Sequence, residues 1–193
     1  MKRIDDVYEN LKERVFQAEF KPNVLITERE IAEQYQVSRV TAGEALHRLC
    51  HDGHLTAYPR TGYMVTMLSG EEMRQIKRAR LALESLVLDV LCEECSDEAL
   101  RSLEHLIADD ESSRANPSAV NRRFHMGMVL LTGDHYLVNA LENLLGAASR
   151  VGQYVAPENL GSWQNCHREI LETLYSRDPA AARECLMKDL DQR

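Results

Sequence analysis

No apolar stretch in the 193 residues approaches the ~18 needed for a membrane-crossing helix, which excludes a transmembrane span of that kind. The first sixteen residues are amphipathic and contain acids. They lack the apolar core and small-residue cleavage site of a secretory signal. Cysteine is sparse and odd in number, at Cys50, Cys92, Cys95, Cys166 and Cys185, which argues against a disulfide framework and for a reducing cytoplasm. There is no His-Glu-x-x-His pair, no serine nucleophile elbow and no phosphate loop, so the chain is expected not to be an enzyme. Nor is there an excess of positive charge. Lys and Arg number 23 against 31 Asp and Glu, a net charge of −8, and a protein that coats DNA by charge alone is excluded.

What is present is ordinary globular material, 44% hydrophobic and 28% charged, enough for one large domain or two small ones. The acidity is uneven. Residues 1–69 carry a net charge of −1 and residues 70–193 a net charge of −7, so a local positive face for DNA is still available at the N-terminal end. The pattern predicts domains at 1–68 and 69–193. In the first, Val7, Leu11 and Val15 recur every four residues and predict a helix over 4–17. Thr27 and Glu30 form a capping box for a helix over 28–35, and Ser38 caps a third over 39–52, which Gly53 ends. Two short strands, 55–58 and 63–66, flank the turn Pro59-Arg60-Thr61-Gly62.

Three helices and a hairpin outline a winged helix-turn-helix. In such a unit the second helix of the pair enters the major groove, its first residues meeting bases and its terminal amides meeting phosphate. That helix begins at Ser38. Ser38 and Thr41 are hydroxyl donors for phosphate, Arg39 suits a guanine edge or a phosphate, and Ala32, Val37, Ala45, Leu46 and Leu49 hold the helices together. The bland alternative is a plain three-helix core with a solvated arginine.

The run from Leu25 to Ala32, then Val37-Ser38-Arg39, Glu44-Ala45-Leu46, Leu49, Asp52-Gly53 and the turn to Gly62 resembles the GntR family over roughly residues 5–66. The resemblance implies DNA contacts from Arg29, Arg39 and the turn Arg60, Thr61 and Gly62. The family usually carries arginine just before Glu-Ala-Leu, where this sequence has Gly43. Loss of a bidentate arginine removes roughly 1–3 kcal/mol of base discrimination. Gly43 therefore implies an altered operator or a closer backbone approach to the groove, and Gly43→Arg is expected to raise affinity for family-like sites.

Beyond residue 66 no convincing strand appears. Ser69 and Glu72 form a capping box for a long helix to Glu94, and Ser96 caps another to Ala108. Further helices are expected over 117–131, 135–152, 160–176 and 179–191, an all-α antiparallel bundle. Asn121 and His125 share one helix face, with His167 on a later helix and Asp189 on the last. Two imidazoles and a carboxylate suit Zn, Ni, Fe or Mn. The alternative is a pair of interior histidines satisfied by Asn121 or Asp189. Residues 70–193 resemble the FCD ligand-binding domain of the FadR-type branch, through Arg80 to Glu84, Asn121 to His125, Gly133 to Leu137, His167 to Ile170 and Asp178 to Leu190. In that branch an Asp-x-x-Phe-His motif and two later histidines hold a divalent metal that often binds a small carboxylic acid. Here Asn121 takes the aspartate position and Asp189 the last histidine position. Arg80 is a candidate for the effector carboxylate; its alternative is an ion pair with Glu84.

Two other groupings carry alternatives. Cys92-x-x-Cys95 suits a redox or zinc role, or simple packing in a helix. His47, His51 and His54 suit a second metal site, or a place on the solvent or DNA-backbone side. The expectation for the whole chain is a cytoplasmic, mainly α, homodimeric regulator. It binds a double-stranded, pseudo-palindromic operator and answers a small carboxylate. The alternatives are a regulator with a degenerate, effector-deaf pocket and, more remotely, a metal-dependent enzyme.

Overall fold

The computed structural model describes residues 3–17, 19–21, 23–107, 117–152 and 160–191. The chain separates into two compact units, Met1–Leu68 and Ser69–Arg193. The first contains α1 (Ile4–Phe16), α2 (Glu28–Tyr35), α3 (Arg39–His51), β1 (Leu55–Tyr58) and β2 (Gly62–Val65). The helices form because apolar residues recur on one face of each. Val7, Leu11, Val15 and Phe16 of α1 are buried with Ile31, Ala32 and Tyr35 of α2 and Ala42, Ala45, Leu46 and Leu49 of α3. Thr27 and Glu30 close the expected capping box, and the Ser38 hydroxyl accepts from the Thr41 amide.

Between α2 and α3 the chain turns at Gln36, whose φ of 55° places a non-glycine residue in the left-handed region. Val37 N–H then reaches back to the Ala32 carbonyl at 3.0 Å, the bond that ends α2 and sends α3 across it. The strands pair antiparallel, Leu55 opposite Val65 and Tyr58 opposite Gly62. Tyr63 also exchanges two backbone bonds with Ile26, which docks the hairpin on the segment before α2.

The second unit contains α4 (Gly70–Glu94), α5 (Asp97–Arg101), a 3-10 turn (Glu104–Leu106), α6 (Pro117–Leu131), α7 (His135–Gly152), α8 (Leu160–Tyr175) and α9 (Pro179–Asp191). Short links at 132–134 and 176–178 fold α7 back along α6 and α9 back along α8, while α4 packs on both α7 and α9. Its core runs through Val87, Leu88 and Leu91, Phe124 and Met128, Leu141 and Leu145, Ile170 and Leu174, and Leu186 and Leu190. The helix expected from Ser96 to Ala108 is shorter than the pattern indicated. It ends at Arg101, where the Ser102 hydroxyl bonds back to the Ala99 carbonyl and the chain tightens into 3-10 geometry. The change sets Leu103 and Leu106 over Gly127 of α6, where an added Cβ would lie 2.9 and 2.6 Å from their methyl carbons.

Candidate DNA-reading face and buried histidine site

Ser38 and Thr41 stand together at the start of α3, their hydroxyl oxygens 2.9 Å apart. One hydroxyl hydrogen joins the pair and one stays available for a phosphate, so the two residues offer a single outward donor rather than two. Arg39 is exposed beside them, and Val40 is 70% exposed, an apolar side chain with the reach to meet a thymine methyl. Arg29 is exposed on α2, its Nε 4.0 Å from Glu33, a weak i,i+4 pair.

The turn Pro59-Arg60 is closed by Thr61 N–H donating to the Tyr58 carbonyl at 3.0 Å. It places proline second and a positive-φ residue, Arg60 at 65°, third, the pattern of a type II turn. Arg60 and Thr61 are exposed at the tip. Gly62 has a different reason to be there. Its φ is 143°, and a Cβ on it would sit 2.6 Å from the Ile26 carbonyl oxygen, so only glycine lets the hairpin dock.

For Gly43 the sequence left two alternatives, an altered operator or a closer backbone approach to a duplex. Gly43 is buried, and the space beside it belongs to the Glu28 carboxylate, with Oε1 3.0 Å from where a Cβ would be. Glu28 Oε1 also accepts from the Tyr63 hydroxyl at 3.0 Å. Burial raises the Tyr63 phenol, and Glu28 adds to the rise, to about 12. A cleft of about 510 Å³ opens here between α3 and the hairpin, lined by Thr27, Glu28, His47, Tyr58, Arg60 and Tyr63 among others.

The three neighbouring histidines do not form a cluster. His47 is exposed and meets the Tyr63 ring edge-on at 5.7 Å, and His51 is exposed beside Asp52. His54 is buried against Phe16, away from the solvent side expected for it. Cys92 is buried and Cys95 half-buried. Burial raises both thiols, which disfavours the reactive thiolate.

In the helical unit the four spaced polar residues do meet. His125 and Asn121 come from α6, His167 from α8 and Asp189 from α9. All are buried, and ligand atoms of His125, His167 and Asp189 lie within 4.8 Å of one another. His125 Nε2 is 3.2 Å from Asp189 Oδ2, and His167 Nε2 is 3.4 Å from Oδ1. His167 Nε2 is also 2.9 Å from Asn121 Oδ1. Phe124 stacks on the His167 ring at 4.2 Å and fixes its plane.

Glu84 of α4 is a member that spacing did not bring to notice. Its Oε2 lies 2.5 Å from His125 Nδ1, and its Oε1 accepts from Arg80 Nε at 2.6 Å. Burial alone would raise the Glu84 carboxyl, but the Arg80 and His125 charges beside it pull it down to about 2. His125 is pushed down by burial but raised on balance, chiefly by Glu84. A carboxylate on Nδ1 turns Nε2 toward Asp189 and His167, the outer-shell arrangement that orients metal-bound histidines. Arg80 thus makes the ion pair with Glu84 that stood as the alternative to an effector-binding role. Its Nη2 is buried with no hydrogen-bond partner among the described residues.

The donor set fits a divalent transition metal, with two imidazole nitrogens, one carboxylate and the neutral Asn121 oxygen converging in a closed interior. Among the described residues no other such His, Cys, Asp and Glu group is found, and no helix is long and apolar enough to cross a membrane.

Residues 3–65 match the family described as bacterial regulatory proteins, gntR family, and residues 75–192 match the FCD domain. The chain is 29% identical over 185 residues to an uncharacterized HTH-type transcriptional regulator, YdhC, of Bacillus subtilis, covering 92% of this chain and 83% of that protein. It is 24% identical over 200 residues to the HTH-type transcriptional repressor GlaR of Escherichia coli, covering 96% and 91%. The solved structure of E. coli McbR/YncC superposes with a TM-score of 0.84 at 21% identity, over 100% of this chain and 95% of that one, a likeness of fold.

Proposed function

The chain belongs to the gntR family of DNA-binding transcriptional regulators and carries an FCD domain, and on that premise we propose that it is a cytoplasmic, ligand-responsive regulator whose helical unit senses a small carboxylate. The observation that carries the reading is the convergence of His125, His167 and Asp189, all fully buried, within 4.8 Å. Two histidines and an acid are costly to bury unless paired or coordinating a metal.

His125, His167 and Asp189, with Asn121 as a weaker fourth ligand, would hold Zn, Ni, Fe or Mn. The metal would act as a Lewis acid toward a carboxylate oxygen. Glu84 orients His125, Phe124 fixes His167, and Arg80 offers its Nη2 to an anion. On DNA, Arg39, the shared Ser38–Thr41 donor and the α3 terminal amides would engage one half-site, with Arg29, Arg60 and Thr61 on flanking backbone. Gly62 would serve by docking the hairpin. Two protomers would meet a pseudo-palindrome with half-sites about one helical turn apart.

The effector-deaf reading also has an observation in its favour. His167 pairs with Asn121, and His125 pairs with Glu84, so each ring has a protein partner without a metal. Elemental analysis of purified protein, with a thermal-shift screen of divalent metals and small carboxylates, separates the two. The sensor reading expects bound metal near one per chain and a rise in Tm that His125→Ala and Asp189→Ala abolish. Metal-free protein indifferent to every metal and acid supports the deaf regulator.

A further inference from the structure

We propose that Glu28 reads a base through the gap that Gly43 leaves in α3, and that its partner is the exocyclic amino group of a cytosine in the major groove. The proposal rests on α3 being the helix that enters the groove. Val40, Glu44 and His47 are exposed on α3 and spaced three and four residues apart, which puts them on one strip. Gly43 lies in the same strip between Val40 and His47 and has no side chain to contribute. The Glu28 carboxylate from α2 fills that position instead, with Oε1 3.0 Å, Cδ 3.1 Å and Oε2 3.6 Å from where a Cβ would stand.

The carboxylate is held in place. The Tyr63 hydroxyl donates to Oε1 at 3.0 Å, and the Tyr63 ring is braced edge-on by His47 at 5.7 Å. That clamp uses one oxygen. The structure gives no hydrogen bond or ion pair to Oε2 among the described residues, and Glu28 is half-buried rather than enclosed.

A carboxylate only accepts. In the major groove guanine and thymine present acceptors, which it repels. Adenine offers N6 but sets the N7 acceptor beside it. Cytosine presents its N4 amino group alone, the pairing suited to glutamate. A side chain of α2 thus takes the reading role that a residue at position 43 of α3 would otherwise have.

The test is selection by the full-length protein from a random duplex library, followed by anisotropy titration of single-base variants at fixed salt. Wild type should enrich cytosine at one symmetric pair of positions, with about a tenfold loss when it is replaced. Glu28→Ala and Glu28→Gln should lose that preference there alone, and Glu28→Gln should come to tolerate adenine. Gly43→Ala, which pushes the carboxylate aside without removing it, should weaken the same preference, with thermal melts showing each variant folded. Glu28 variants that select the wild-type pattern, or weaken binding evenly at every position, overturn the proposal while leaving the α3 assignment standing. A wild-type selection that enriches nothing, or a pattern that Arg39→Ala leaves unchanged, overturns both.

Discussion

At residue scale the helical unit turns on Glu84. It stands between Arg80 and His125 with all three side chains buried, so it balances one charge and aims one ring. Replacing it leaves the Arg80 guanidinium without its anion in a dry interior. Glu84→Gln is expected to cost about 3 kcal/mol of stability, measured by urea denaturation of chelated protein. Where the variant folds, its divalent-metal affinity by calorimetry should fall roughly 10–100-fold. A variant as stable as wild type would contradict this account of the triad. His125, His167 and Asp189 were visible in the sequence through the i,i+4 spacing of Asn121 and His125, the placement of the others on later bundle helices, and the resemblance to the FCD motif. Glu84 was visible only as a partner for Arg80. Its bond to His125 depends on the register of α4 against α6, which no local pattern carries. Gly43 was visible as an oddity, but the sequence could not say that Glu28 occupies its space, since that needs the crossing of α2 over α3.

At the scale of elements, helix starts were legible because caps are local. Thr27 with Glu30, Ser38, Ser69 with Glu72, and Ser96 all cap as expected, from bonds made within three residues. The early end of α5 was not legible from the apolar pattern, which runs on through Leu103 and Leu106; these side chains seat on Gly127, a contact far along the chain. The turn before α3 carries a strain that a substitution can relieve. Gln36 is exposed and sits at φ 55° with its amide directed to the α2 carbonyls, a position that glycine occupies more easily. Gln36→Gly is expected to stabilise the protein by about 0.5–1 kcal/mol without changing DNA affinity, measured by thermal melt and titration. Gly62→Ala should act oppositely. Its Cβ would meet the Ile26 carbonyl at 2.6 Å, so the hairpin must undock and DNA affinity should fall.

At the scale of the whole molecule, the near-neutral first unit and the acidic second one imply weak nonspecific DNA binding. Affinity should drop steeply with salt, as counterion release requires. The family and the two-unit plan were legible because cap residues, apolar periodicity and the turn to Gly62 all lie within short windows. Under the proposed sensor function, coupling would be a property of populations rather than of any one motif. An effector that binds one state better shifts the equilibrium by its differential affinity, typically 1–3 kcal/mol, or about 5–150-fold in DNA binding. The most direct test is to titrate a selected operator duplex with metal-loaded wild type and with His125→Ala, across a panel of small carboxylates. The sensor account predicts that at least one acid changes wild-type DNA affinity fivefold or more and leaves His125→Ala unmoved. Equal DNA affinity with and without every acid, in protein that holds its metal, would contradict it.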